Sequence, residues 1–156
     1  MATTYSTQVY ANKTPAVSGS GLAAHTVRLH AISGSISTWA LNDVINVGYL
    51  PANAIISGCG LKAASQLDSN VSPALTLDLG VTGSAQLLKA AITTVGRASG
   101  ASADTTIAAG GYLYKNTTGA DLAVIVTVHA AAATAVAGTL EVEVSYFVEP
   151  TTGSNP

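Results

Sequence analysis

At 156 residues the chain fits one domain, and its net charge of −2 with 9% charged against 48% hydrophobic residues leaves an unusually charge-poor surface. Such a surface is either covered by other protein or dressed in Ser, Thr, Asn and Gly, and the first reading is preferred. The six basic residues, Lys13, Arg28, Lys62, Lys89, Arg97 and Lys115, form no stripe, which excludes the footprint of direct nucleic-acid binding.

Residues 1–21 are polar, without sustained periodicity, and read as an extended N-terminal arm. They hold no apolar run of the kind a signal peptide needs, so export by a standard signal is not expected. The remainder is expected to be one domain over 22–150 with a polar tail over 151–156. His25–Ile32 alternates Val27 and Leu29 against Thr26, Arg28 and His30, the period of a half-buried strand. Trp39 is the only tryptophan. It serves either as a carbohydrate-stacking platform or, preferred in a chain so poor in aromatics, as a core or interface anchor.

Asp43–Tyr49 alternates Ile45, Val47 and Tyr49 on one face. Leu50-Pro51-Ala52-Asn53 then breaks the ladder, because Pro51 lacks an N–H and Asn53 tolerates turn geometry. Ala54–Leu61 resumes as strand, and Gly58-Cys59-Gly60 suggests a bulge or a close backbone approach. Cys59, the single cysteine, excludes an intramolecular disulfide and reads as a small buried side chain rather than a reactive thiol.

Ser65–Pro73 reads as loop, and Ala74–Gly80 as a strand with Leu75, Leu77 and Leu79 inward and Thr76 and Asp78 outward. The Ala, Leu, Lys and Gln content of Ala85–Thr93 predicts a short helix, with Leu88 and Ile92 four apart. Thr94–Gly111 is a long loop of the kind that binds something or lies on a partner. Gly111–Lys115 is expected as a strand with Tyr112 and Tyr114 on one face. Leu122–His129 is apolar on both faces, which fits a central strand or a subunit contact. Thr139–Glu149 alternates most clearly, Leu140, Val142, Val144, Tyr146 and Val148 against Glu141, Glu143, Ser145, Phe147 and Glu149. Leu122–Leu140 lacks charge, yet its alternation and Gly138 favour strand–loop–strand over a membrane span.

No Walker loop, nucleophile elbow, H-E-x-x-H, EF-hand or G-x-G-x-x-G occurs, so neither catalysis nor a cofactor or metal site is expected. His25 and His30 fall on opposite strand faces. His129 is either a pH-sensitive interface residue or, preferred, a polar strand end. Glu141 and Glu143 share a face and are either a hard-cation site or, preferred, solvated carboxylates. Sequons at Asn12, Asn70 and Asn116 matter only in a secretory setting.

The strand ending Leu50-Pro51-Ala52-Asn53-Ala54 and its successor resemble the small β-rich structural proteins of tailed-phage particles, especially head decoration (cement) proteins. Ser65-Gln66-Leu67-Asp68-Ser69, Thr94-Val95-Gly96-Arg97 and the strand–Ala-rich loop–strand over Leu122–Val148 extend the resemblance, which covers Asp43 to Val148. The expected fold is all-β: a single antiparallel β-sandwich, jelly-roll-like, with one short helix and the N-terminal arm. The resemblance implies a trimer bound to the major capsid protein on the virion surface, made in the host cytoplasm, with no membrane or direct nucleic-acid partner. Residues Met1–Gly21 and the Thr94–Gly111 loop are the expected contacts. The alternative is a head-fibre or tail-associated module that recognises host glycan through Trp39, Tyr112 and Tyr114.

Overall fold

A computed structural model describes residues 27–148, and residues 3–10 as backbone. The chain folds as strands β1 (Thr3–Tyr10), β2 (Val27–Ser33), β3 (Val44–Leu50), β4 (Ala54–Ala63), β5 (Thr76–Val81), β6 (Ser84–Ile92), β7 (Ser102–Asp104), β8 (Leu122–Ala130) and β9 (Leu140–Val148). Within the expected arm only Thr3–Tyr10 is described, and it is a strand; the rest of the arm, His25 and the 151–156 tail lie outside the described residues.

Two antiparallel sheets result. One runs β6-β5-β8-β3 and the other β2-β9-β4-β7. Strand β1 joins them: Thr3–Tyr5 pairs in parallel with Val44–Asn46, and from Ser6 onward the strand pairs antiparallel with β2, with an irregularity between Ser6 and Gln8. The inner faces enclose one core that includes Leu29, Val47, Leu77, Leu79, Val126, Val142 and Val144. This is the all-β sandwich that alternation predicts. Residues Leu122–Leu140 are strand, Ala-rich loop and the start of a second strand, and among the described residues no helix is long and apolar enough to cross a membrane.

Bulges decide where the simple alternation fails. In β3 the register shifts between Asn46 and Gly48, whose N–H donates to Asn46 Oδ1 at 3.1 Å. One inserted residue reverses every side chain beyond it, so Leu50 is buried and Tyr49, expected inside with Ile45 and Val47, is 47% exposed. Gly48 sits at φ 152, and a Cβ there would meet Leu29 Cδ1 at 2.7 Å. In β4 a shift between Ile56 and Gly58 moves burial from Ala54 and Ile56 to Leu61 and Ala63. This is the bulge that Gly58-Cys59-Gly60 suggested.

The segment Ala85–Thr93 is not a helix; Ser84–Ile92 is strand β6, and the described residues contain no helix. The Thr82-Gly83 turn, with Gly83 at φ 85, folds it back onto β5, and pairing there overrides the local helical preference. Between the Val81–Ser84 and Leu79–Lys89 pairs, β6 carries a long bulge that lies over the outer side of β5. Asp78, expected to face solvent, is buried for that reason, and Thr76, expected there too, is buried with its hydroxyl held by Arg97.

Gly111–Lys115 is likewise not a regular strand, since Leu113 takes φ 59. Its backbone nevertheless lies along β4, with Leu113 N–H donating to Ile56 O at 2.8 Å and Asn116 N–H to Ala54 O at 2.8 Å. Asn116 is fully buried and ties this segment to the Leu50–Asn53 corner. Its Nδ2 donates to the carbonyls of Leu50 (3.2 Å), Pro51 (3.0 Å) and Ala120 (2.8 Å), while Thr118 donates to its Oδ1. A sequon asparagine so placed is a corner brace.

Thr127 Oγ1, on β8, is the one buried side-chain polar atom without a hydrogen-bond partner among the described residues. An unpaired buried hydroxyl costs about 1–3 kcal/mol, and valine keeps the β-branched shape that strands favour. Thr127→Val is therefore expected to stabilise the fold by about 1 kcal/mol, read as a higher urea midpoint at unchanged slope.

Candidate functional site

The sandwich presents two outer faces of opposite character. On the β2-β9-β4 sheet the outward positions carry charge. Glu141 Oε1 takes a hydrogen bond from His30 Nε2 at 2.8 Å, and Lys62 Nζ stands 3.1 Å from Glu141 Oε2. Arg28 Nη1 lies 3.6 Å from Glu143 Oε1. His30 and then Lys62 hold the Glu141 carboxyl below the usual carboxylate range. All five side chains remain partly exposed, so each pair contributes little to stability. Glu141 and Glu143 are thus matched with basic side chains on neighbouring strands, and among the described residues no group of acids, histidines and cysteine is arranged to hold a metal ion.

Beside this ladder runs a groove of about 330 Å³ floored by Gly58 and Gly60 and edged by Ala103, Thr105, Glu141 and Glu143. Cys59 borders it, half-buried against the core. Burial, reinforced by Asp104 and opposed by Lys89, pushes its thiol up to about 11, which disfavours the reactive thiolate at neutral pH.

The outer face of the other sheet is different. From β8 it presents Ala123, Ile125, Thr127 and His129, opposite the buried Val124, Val126 and Val128. From β3 it presents Val44, Asn46 and Tyr49, with Asn46 Nδ2 donating to Tyr49 Oη at 3.2 Å. Its third side is the β6 bulge. Gln86 Nε2 donates to Asp78 Oδ2 at 2.9 Å, His129 Nδ1 lies 2.9 Å from the same oxygen, and Ala91 N–H donates to Asp78 Oδ1 at 2.7 Å. Asp78 is the acid of this face, and it is buried and fully engaged. His129 ends β8 as a polar terminus bound to it.

At the end of the sandwich where β8 and β9 are joined, Asp68 organises the loops. Its carboxylate is buried and accepts backbone N–H groups from Asn70 (3.2 Å), Ala74 (2.7 Å), Leu75 (3.0 Å), Ala133 (3.0 Å) and Thr134 (2.9 Å). Burial alone would raise its pKa. The hydrogen bonds from Thr134, Ala133, Leu75 and Ala74 outweigh it and hold the carboxyl well below the usual range. Sequence reading had no handle on this role, because donors from two distant loops converge on one acid.

Trp39 lies in the same end, 2% exposed, its indole N–H donating to Val136 O at 2.9 Å. It is a core anchor and offers no stacking surface to a sugar. Tyr112 is exposed and Tyr114 half-buried against the core, so the three aromatics of the alternative glycan reading do not form one exposed platform. The Thr94–Gly111 loop is fastened to its own fold. Arg97 donates to the carbonyls of Ala74 and Leu75 and to Thr76 Oγ1, Asp104 pairs with Lys89 at 3.7 Å, and Ser102–Asp104 forms β7 against β4. Its longest exposed stretch is 98–101.

No protein-family model matches this chain, and no curated protein does. Among solved structures it is similar to a chain of the cyanophage Pam1 capsid asymmetric unit, at 29% identity and a TM-score of 0.66, over 87% of this chain and 94% of that one. It is also similar to a chain of the capsid of Ralstonia phage GP4, at 27% identity and a TM-score of 0.61, over 89% of this chain and 92% of that one. These similarities support a phage capsid-related protein with a structural role in the virion.

Proposed function

We propose that this chain is a decoration (cement) protein: a jelly-roll-like sandwich that binds the major capsid protein on the surface of a tailed-phage head, as a trimer, and stabilises it. The observation that carries this reading is the similarity to chains of two phage capsids that are themselves about as short as this one, spanned over 94% and 92% of their length. So small an all-β subunit suits an accessory that braces a shell. The charge-poor composition supports it, since much of such a surface would be covered in the particle. Of Met1–Gly21, Thr3–Tyr10 is already held between β2 and β3, so residues 11–21 act as the strap against the shell, and the 94–111 loop adds a second contact. Weak individual contacts gain avidity once the trimer is held together. No catalytic role is assigned.

Heads assembled without this protein provide the test. Purified full-length chain is expected to coat them to saturation and to raise the temperature at which they rupture. Replacing residues 11–21 with a Gly/Ser linker of equal length, which keeps β1 in its sheets, is expected to lower occupancy. If the unmodified chain fails to bind heads, the cement reading is wrong; if the linker variant coats and protects them equally well, the strap is wrong.

A further inference from the structure

We infer that the β3-β8 outer face with its β6 bulge is the surface laid against the shell, and that the β2-β9-β4 outer face is turned to solvent. This assignment rests on the cement reading and adds to it an orientation and the chemistry of the partner surface. The first argument is the segregation of charge. Arg28, Lys62, Glu141 and Glu143 all stand on the β2-β9-β4 face, partly exposed and matched with one another. Covering that face would strip water from four charges at once, a cost their mutual attraction does not reliably offset.

The opposite face carries Ala123, Ile125 and Thr127 on β8 and Val44, Asn46 and Tyr49 on β3. Its acid, Asp78, is already out of water and bonded by Gln86, His129 and the Ala91 N–H. Covering this face therefore desolvates no carboxylate or lysine. Its ionisable group at the rim is His129, which keeps its Asp78 partner. Tyr49, 47% exposed with its hydroxyl held by Asn46, supplies the amphipathic ring typical of interface anchors.

The second argument is size. A face about 30 Å long and about 14 Å wide offers roughly 400 Å². A stable pair of free proteins needs about 800 Å² from each partner. The patch is thus too small to hold two copies of this chain together by itself, and it suits one contact among many that a shell repeats. The occupant is an uncharged surface of the major capsid protein that presents apolar and small polar groups to Ile125 and Tyr49.

Occupancy of heads lacking the protein distinguishes the two faces. Ile125→Arg, which would bury an unpaired charge, is expected to weaken head binding by about tenfold or more. Ser145→Arg, on the charged face, is expected to bind as the unmodified chain does. In a Cys59→Ser background, Ala123→Cys and Ser145→Cys report the orientation without depending on an introduced charge. On coated heads a maleimide is expected to modify position 145 and spare position 123, while both react in the free protein. Full occupancy by Ile125→Arg, or equal labelling of both positions on the particle, overturns the face assignment while the cement reading stands. Failure of the unmodified chain to bind heads overturns both.

Discussion

Asp68→Ala is expected to destabilise the fold by about 4 kcal/mol, a size reserved for the loss of a buried polar hub. The carboxylate accepts N–H groups from Asn70, Ala74, Leu75, Ala133 and Thr134, so its removal orphans five backbone donors at once. Hydrogen bonds to a charged group contribute about 1.5–3 kcal/mol each, but water can reach the rim of this site, so their sum is an overestimate. For a domain of this size the loss corresponds to a fall of roughly 10–15 °C in melting temperature. Asp68→Asn should fall between the two, because its amide nitrogen must face donors that have no use for another donor.

The same residue predicts an acid signature. With the folded carboxyl held below its ordinary value, the unfolded chain takes up the proton first as pH falls. The stabilisation is fully present above about pH 4, and it is lost progressively as pH drops from there toward the folded-state value. Asp104 and Glu141, also lowered, act with the same sign. Melting curves between pH 6 and pH 2, about the span of these titrations, should show a steeper acid loss in the unmodified chain than in Asp68→Ala. Parallel curves would mean that the loop acid does not carry this titration.

What sequence made legible was the part of the fold decided by neighbours one and two residues away. Strand β9 is buried at Leu140, Val142, Val144 and Tyr146 as its alternation requires, and Val124, Val126 and Val128 line the core from β8. Tyr49 went astray because a bulge at Asn46–Gly48 changes the parity of β3, and nothing in Val-Ile-Asn-Val-Gly-Tyr marks that its glycine ends a bulge. Strand β6 was hidden for a different reason: its residues prefer helix when alone, and β5 decides otherwise. Asp68 and Asn116 were invisible as hubs because their partners come from loops up to 66 residues away. The contrast between the two sheet faces was half legible. The glutamates of β9 announced one face, whereas the burial of Asp78 required knowing that β6 folds over it.

That fold-over carries the second large prediction. A Cβ on Gly80 would lie 2.2 Å from Ser84 O and 2.4 Å from both C and O of Ala85, backbone atoms that no side-chain rotation can move aside. Gly80→Ala therefore forces the β6 bulge off β5, at a cost of about 3 kcal/mol. The lifted bulge takes Gln86 and the Ala91 N–H with it, and leaves Asp78 buried with fewer partners. Two other glycines calibrate the effect. Gly58→Ala meets nothing closer than Ser145 Cβ at 3.9 Å and should change stability by less than about 0.5 kcal/mol. Gly83→Ala has open space but a φ of +85, so it should cost about 1–2 kcal/mol through backbone strain alone. Urea melts of the three variants should rank Gly80→Ala first, with faster amide exchange across Ala85–Leu88. Because the bulge also walls the face assigned to the shell, Gly80→Ala should lose head binding at temperatures where it is still folded. A Gly80→Ala chain that melts with the unmodified protein would mean the bulge does not rest on β5, and the shelter given to Asp78 would have to come from elsewhere.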